Sequence, residues 1–190
     1  MLNFNYINMK KIILLLLAIP VLSFSQEKTD FKKSTTLSLN VLASDPAQIG
    51  LTFEGFQYLH KEHVSSLVIN AGISSTTLDK NGYSITGNGF AIELGGRTYF
   101  SKNKNSGFYR QNFLSHSQNN FSKDGFNGKY TYWSLINADI GYKVIILKSL
   151  SIEGSLGYIW KWEVNTKSDI DNKDFQNLVP RAAIRLGYKF

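Results

Sequence analysis

Leu178-Val179-Pro180-Arg181-Ala182-Ala183-Ile184-Arg185-Leu186-Gly187-Tyr188-Lys189-Phe190 separates by parity into two chemically opposed sets. Leu178, Pro180, Ala182, Ile184, Leu186, Tyr188 and Phe190 make one, and Val179, Arg181, Ala183, Arg185, Gly187 and Lys189 the other. Successive side chains of a strand point to opposite faces, so this stretch as a strand has one greasy side and one cationic side. Such a strand fits a wall between hydrocarbon and a polar interior.

Seven further segments follow the same alternation, each bounded by Gly, Asn, Asp, Ser or Lys clusters. They are Thr35–Leu42, Ile49–Tyr58, Val64–Thr76, Gly89–Phe100, Gly107–Leu114, Tyr130–Ile146 and Ser149–Glu163. On the fourth, Phe90, Ile92, Leu94 and Phe100 oppose Glu93 and Arg97. On the sixth, Tyr132, Ile136, Ala138, Ile140, Tyr142 and Val144 oppose Asn137, Asp139 and Lys143. On the seventh, Leu150, Ile152, Leu156, Tyr158, Trp160 and Trp162 oppose Glu153, Lys161 and Glu163. Eight is an even number, as closure with both chain ends on one side requires.

The connections alternate as well. Those around His60–His63, Ser101–Ser106 and Leu147–Lys148 are short, and Ser44-Asp45-Pro46 is a short first loop on the other side. Leu78–Asn88, Ser115–Lys129 and Asn165–Asn177 are expected to be long polar loops. Together these features predict an all-β fold, an eight-stranded antiparallel up-and-down transmembrane β-barrel.

Phe90 to Phe100, Tyr132 to Tyr142, Leu150 to Trp160 and Leu178 to Tyr188 are each ten residues apart. At roughly 3.3 Å per residue and a tilt of about 45°, that spacing is about 23 Å of height, close to a lipid-facing band. The aromatic girdle is therefore assigned to Tyr132, Trp160 and Trp162 at the outer rim and Phe100, Tyr142, Tyr188 and Phe190 at the inner rim. The other face gives a lumen charge network of Glu54, Glu93, Asp139, Glu153 and Glu163 with Arg97, Arg110, Lys143, Lys161, Arg181, Arg185 and Lys189. The bore of an eight-stranded barrel is only wide enough for side chains. Isolated burial of a charge costs several kcal/mol, so these groups are expected to pair into a plug.

At the N-terminus, Met9-Lys10-Lys11 is a charged leader, Ile12–Ile19 an apolar core, and Ser23-Phe24-Ser25 a small-residue cleavage site. Residues 1–25 are expected to be a signal peptide and 26–190 the barrel domain, with Met9 an alternative start. The apolar run falls short of the roughly 20 residues of a membrane helix. The chain has no cysteine, which excludes disulfides and thiolate sites. Its 14% aromatic content accompanies a mean hydropathy of only -0.17, a mixture that suits a polar inside and a greasy outside. The net charge of +7 falls to +5 without Lys10 and Lys11, compatible with anionic headgroups or lipopolysaccharide phosphates.

Glu93-Leu94-Gly95-Gly96-Arg97-Thr98-Tyr99-Phe100, followed by Gly107-Phe108-Tyr109, resembles a mid-barrel hairpin of small outer-membrane β-barrel proteins from Bacteroidetes-type bacteria, the DUF3575-like and OmpA-like eight-stranded group. The resemblance implies an outer-membrane location and assembly through a C-terminal aromatic, here Phe190. It brings no activity with it.

Functional motifs are sparse. His116 between Ser115 and Ser117 is the only candidate for a catalytic base of a lipid A-modifying enzyme, and it lacks the His-x-Ser spacing of the deacylases. His60 and His63 have no third ligand nearby, and Asp169 to Asp174 lacks the glycine and closing glutamate of a calcium loop. No catalytic residue, metal or cofactor is assigned, and nothing suggests nucleic acid. The partners expected are outer-membrane lipid or lipopolysaccharide, the barrel-assembly machinery and an unidentified extracellular ligand at the loops, with the barrel itself a monomer. The competing reading is a soluble periplasmic barrel carrying a lipid-like ligand, which requires the apolar faces to point inward.

Overall fold

The computed structural model describes residues 33–60, 62–80, 83–102, 104–123, 126–164 and 175–190. The expected signal peptide, residues 1–25, lies outside them. Eight strands follow one another: β1 (Thr36–Ala43), β2 (Ala47–His60), β3 (His63–Lys80), β4 (Tyr83–Lys102), β5 (Gly107–Lys123), β6 (Phe126–Ile146), β7 (Leu150–Glu163) and β8 (Leu178–Lys189). Each pairs antiparallel with the next, and β8 returns to β1 through Lys189↔Thr36 to Ala182↔Ala43, closing the barrel. Closure leaves no open edge of unpaired amides and carbonyls, which hydrocarbon does not tolerate. The fold is an all-β, eight-stranded antiparallel up-and-down transmembrane β-barrel.

The faces divide as the alternation of β8 requires. Arg181 and Arg185 are buried, whereas Leu178, Ile184, Leu186, Tyr188 and Phe190 are exposed. Across the described residues most buried side chains are polar or charged, and large apolar side chains such as Leu39, Ile73, Ile140 and Leu156 are turned outward. An apolar surface this continuous is far beyond what a soluble protein leaves in water. The soluble-carrier reading is thereby corrected, because the lumen holds the charges and not a greasy cavity.

Two of the three long loops expected at the hairpin end are strands instead. β3 runs to Lys80 and β4 starts at Tyr83, which pairs with it; Lys123 and Phe126 likewise close the hairpin of β5 and β6. Residues 78–88 and 115–129 look loop-like because they are rich in Ser, Asn and Gly. Above the apolar band, however, a strand needs no greasy outward face, and these segments are held by the continuing ladder and by an inward face that buries Leu78, Ser115, Ser117, Asn119 and Phe121.

A second correction concerns Tyr132. Between Trp133 and Ile136 the pairing of β6 with β7 shifts register, and both Leu135 and Ile136 point outward. A β-bulge inserts one extra residue and so inverts the parity of everything beyond it. Tyr132 is therefore fully buried in the lumen, and Trp133 takes the outward position assigned to it in the girdle. Phe100, Tyr142, Trp160, Trp162, Tyr188 and Phe190 do face outward. β2 has a comparable irregularity between Gly55 and Tyr58, where Phe56 at φ 50° points outward and Gln57 is buried.

Gly157 shows how tightly the lumen is filled. A Cβ at this position would collide with the Ala138 carbonyl and with the Asp139 carboxylate. Substitution Gly157→Val is expected to cost about 1–3 kcal/mol or more by overpacking. Denaturant unfolding of the detergent-refolded barrel, followed by tryptophan fluorescence, measures that loss.

Candidate functional site

Among the described residues, the lumen is where chemically active side chains gather, and register dictates which can meet. In a ring of eight, β4 lies opposite β8 and β2 opposite β6. Near the end where β1 begins and β8 finishes, the Arg97 guanidinium of β4 donates to Glu54 Oε2 at 2.9 Å and to Glu153 at 2.7 and 2.8 Å. Its remaining edge donates to Gln111 Oε1, and its plane lies 4.1 Å from the centroid of the Tyr109 ring. Lys143 of β6 reaches across to Glu54 of β2 at 2.8 Å, and Arg185 of β8 meets Glu153 at 2.5 Å.

Neutral donors complete the two carboxylates. Tyr99 and Ser66 hydroxyls donate to Glu54 Oε1, each at 2.8 Å, and the Tyr109 hydroxyl donates to Glu153 Oε1 at 2.9 Å. With several hydrogen bonds each, the buried carboxylates regain much of what they lose in leaving water.

Further along the axis Arg181 of β8 spans the bore to Glu93 of β4 in a two-pronged pair at 2.7 and 3.0 Å. Asn70 Nδ2 adds a donor to Glu93 at 2.7 Å, while Thr52 donates to the Asn70 oxygen. Arg181 Nε lies 3.3 Å from Asp139 Oδ1, and its guanidinium covers the Phe113 ring.

Towards the hairpin end the character changes. Phe113, Phe121, Tyr130, Tyr132, Ile159 and Phe175 form an apolar cluster inside the bore, and Phe175 stacks on Tyr130 with centroids 4.0 Å apart. Lys161 sits among Tyr130, Tyr132 and Phe175, 5.4–5.9 Å from their centroids. Its ammonium donates to the Asp45 carbonyl at 2.9 Å, and the Asp45 carboxylate accepts a hydrogen bond from Thr76.

The structure thus brings Glu54, Arg97, Lys143, Glu153 and Arg185 into one cluster and Glu93, Asp139 and Arg181 into a second. Lys161 stands in neither. Glu163 is half-buried at the end of β7, and Lys189 reaches Asn105 at 3.5 Å. Arg110 does not belong to the lumen at all. Tyr109 and Gln111 are the inward residues of that stretch, which turns Arg110 out. Sequence reasoning also passed over Tyr99, which shares the face of Arg97 on β4 and could have been found by extending it, and Tyr109 and Gln111, which join that face only through the register of β5 with β4.

The sites weighed for chemistry fall apart geometrically. His116 is outward on β5, between the rings of Phe90 and Trp133, and its Nδ1 is 2.9 Å from the Tyr132 carbonyl oxygen. Ser115 and Ser117 point the opposite way, into the bore. His60 and His63 pair across an exposed hairpin. Beside it Lys102 hydrogen-bonds Glu62 at 2.6 Å and lowers its carboxyl below the ordinary range.

Among solved structures, the chain is similar to the N-terminal β-barrel domain of OprF from Pseudomonas aeruginosa, with TM-score 0.55 and 13% identity over 84% of this chain and 100% of that one. The outer membrane protein OprG of the same organism gives 0.48 at 14% identity, covering 83% of this chain and 95% of that one. Ail, the attachment invasion locus protein of Yersinia pestis, gives 0.44 at 13%, covering 83% and 96%. No protein-family model matches the chain, and no curated protein matches it in sequence. The likeness is therefore one of fold.

Removing one member of the inner cluster strands its partners. Arg97→Met is expected to destabilise the barrel by about 3–5 kcal/mol, because two carboxylates lose their shared cation. Lys161→Met is expected to cost less, since an apolar chain of similar length replaces the ammonium among aromatic rings and Asp45 is partly exposed. Paired denaturant titrations of the two variants in one detergent compare them directly.

Proposed function

We propose that this chain is an integral protein of a bacterial outer membrane, with a sealed lumen and a structural or loop-mediated interaction role. The observation that carries the reading is the inversion of the usual protein plan, with ion pairs spanning the bore and an apolar band outside. The signal-peptide reading of residues 1–25 supplies a route across the inner membrane, and Phe190 a recognition signal for the barrel-assembly machinery. The hairpin motif from Glu93 to Tyr109 supports membership of the Bacteroidetes-type group of small barrels.

The lumen is read as a plug and not a pore. Arg181–Glu93 and Lys143–Glu54 cross the bore, and the cluster around Phe175 fills its hairpin end. The role is non-catalytic, needs no cofactor and leaves the ends of the long hairpins β3–β4 and β5–β6 as the surface for an extracellular ligand. Lipopolysaccharide and phospholipid are the surrounding partners of a monomer.

The membrane fraction of expressing cells tests this. The protein is expected to need detergent for extraction, to migrate faster unheated than heated, and to leave sugar-loaded proteoliposomes as tight as protein-free ones. Recovery from the periplasmic supernatant without detergent sinks the membrane assignment, and rapid sugar efflux sinks the plug.

A further inference from the structure

β5 interrupts the apolar band. Among the described residues, Arg110 is the one charged side chain on the outward face between the two aromatic rims, and it is exposed. It pairs in register with Thr98 of β4 and Ile140 of β6. The edge-to-face pair Phe108–Tyr142 lies one outward position closer to the end where β1 begins and β8 finishes, about 5 Å along the axis. Asn112, the next outward residue, is also exposed, and its cross-strand partners are Gly96 and Ala138. A Cβ on Gly96 would meet nothing within 4 Å, so the surface is open there. The Thr98 hydroxyl beside it lies 3.1 Å from that of Ser65.

We propose that this patch is a lipid-binding site for the phosphate of an anionic phospholipid in the leaflet at the end where β1 begins and β8 finishes. The inference rests on the membrane reading given above. An arginine on a barrel's lipid face is costly at mid-depth and nearly free close to the interface, where lipid phosphates lie. The guanidinium matches two phosphate oxygens with two parallel donors, Thr98 adds a hydroxyl in register with it, and Asn112 adds an amide one outward position further along the strand. Gly96 and Ala138 leave a shallow notch in which one acyl chain lies flat against the wall. A second copy of the chain fits less well. A two-fold contact sets like surfaces against each other, and among the described residues the outward band offers no acid to answer Arg110.

The test uses the full barrel refolded into phosphatidylcholine vesicles doped with spin-labelled phosphatidylglycerol or spin-labelled phosphatidylcholine. Electron paramagnetic resonance reads the immobilised fraction of each, and heat-modifiable mobility verifies that every variant is folded. Wild type is expected to hold phosphatidylglycerol in preference to phosphatidylcholine by about tenfold at one site, the size of one charge-assisted contact. That preference disappears in Arg110→Gln, is partly kept in Arg110→Lys and falls in Gly96→Leu, which fills the notch. Equal selectivity in wild type and Arg110→Gln overturns the site while leaving the membrane reading intact. Cysteine cross-links at position 138 that report an Arg110-dependent dimer overturn it as well. A wild-type chain that does not insert into vesicles overturns the membrane reading and the site together.

Discussion

A cation enclosed in a narrow β-barrel needs an anion within a few ångströms, and the bore is so slim that the nearest one can lie on the opposite wall. Arg181 with Glu93, and Lys143 with Glu54, answer that constraint by joining strands that are four apart in the ring. Much of the interior follows from these spans. Tyr99, Tyr109, Ser66, Asn70 and Gln111 are placed where they finish the hydrogen bonding of the crossing groups, and Gly157 leaves the space that Asp139 occupies.

The two faces of each strand do different physical work. The outward side chains contribute little to holding strands together in lipid, because hydrocarbon is as comfortable for them as a partner is. Cohesion comes from the closed ladder of backbone hydrogen bonds and from the polar interior. That division accounts for a wall of simple, repetitive composition around a core whose residues are individually specified.

Alternation made most of this legible. β8 and β7 keep their parity from end to end, so Arg181, Arg185, Glu153 and Lys161 could be placed inside from the sequence alone. β6 could not be read this way, because a bulge leaves no compositional mark and moves Tyr132 from rim to lumen. Arg110 was assigned by its charge when its neighbours Tyr109 and Gln111 already held the inward positions. The extended hairpins of β3–β4 and β5–β6 escaped notice because their buried face is itself largely polar, with Ser115, Ser117 and Asn119 beside Leu78 and Phe121, and outward residues such as His116, Gln118 and Asn120 supply no apolar contrast. Pairing across the bore was beyond reach for another reason: opposition in a ring depends on strand number and shear together.

The same crossing pairs govern the order in which the wall can be completed. Arg181 and Arg185 belong to the last strand, while their acids lie on β4 and β7, and β8 must also join β1. Until the sheet has curled far enough to bring β4 opposite β8, Glu93 has no cation and Arg181 has only Asp139 of β6 beside it. The open sheet is therefore penalised for lingering half-curled, and seam closure and the neutralisation of Glu93 become a single late event, whereas Arg185 meets Glu153 as soon as β7 and β8 pair. Contacts separated by 88 residues make that event intrinsically slow.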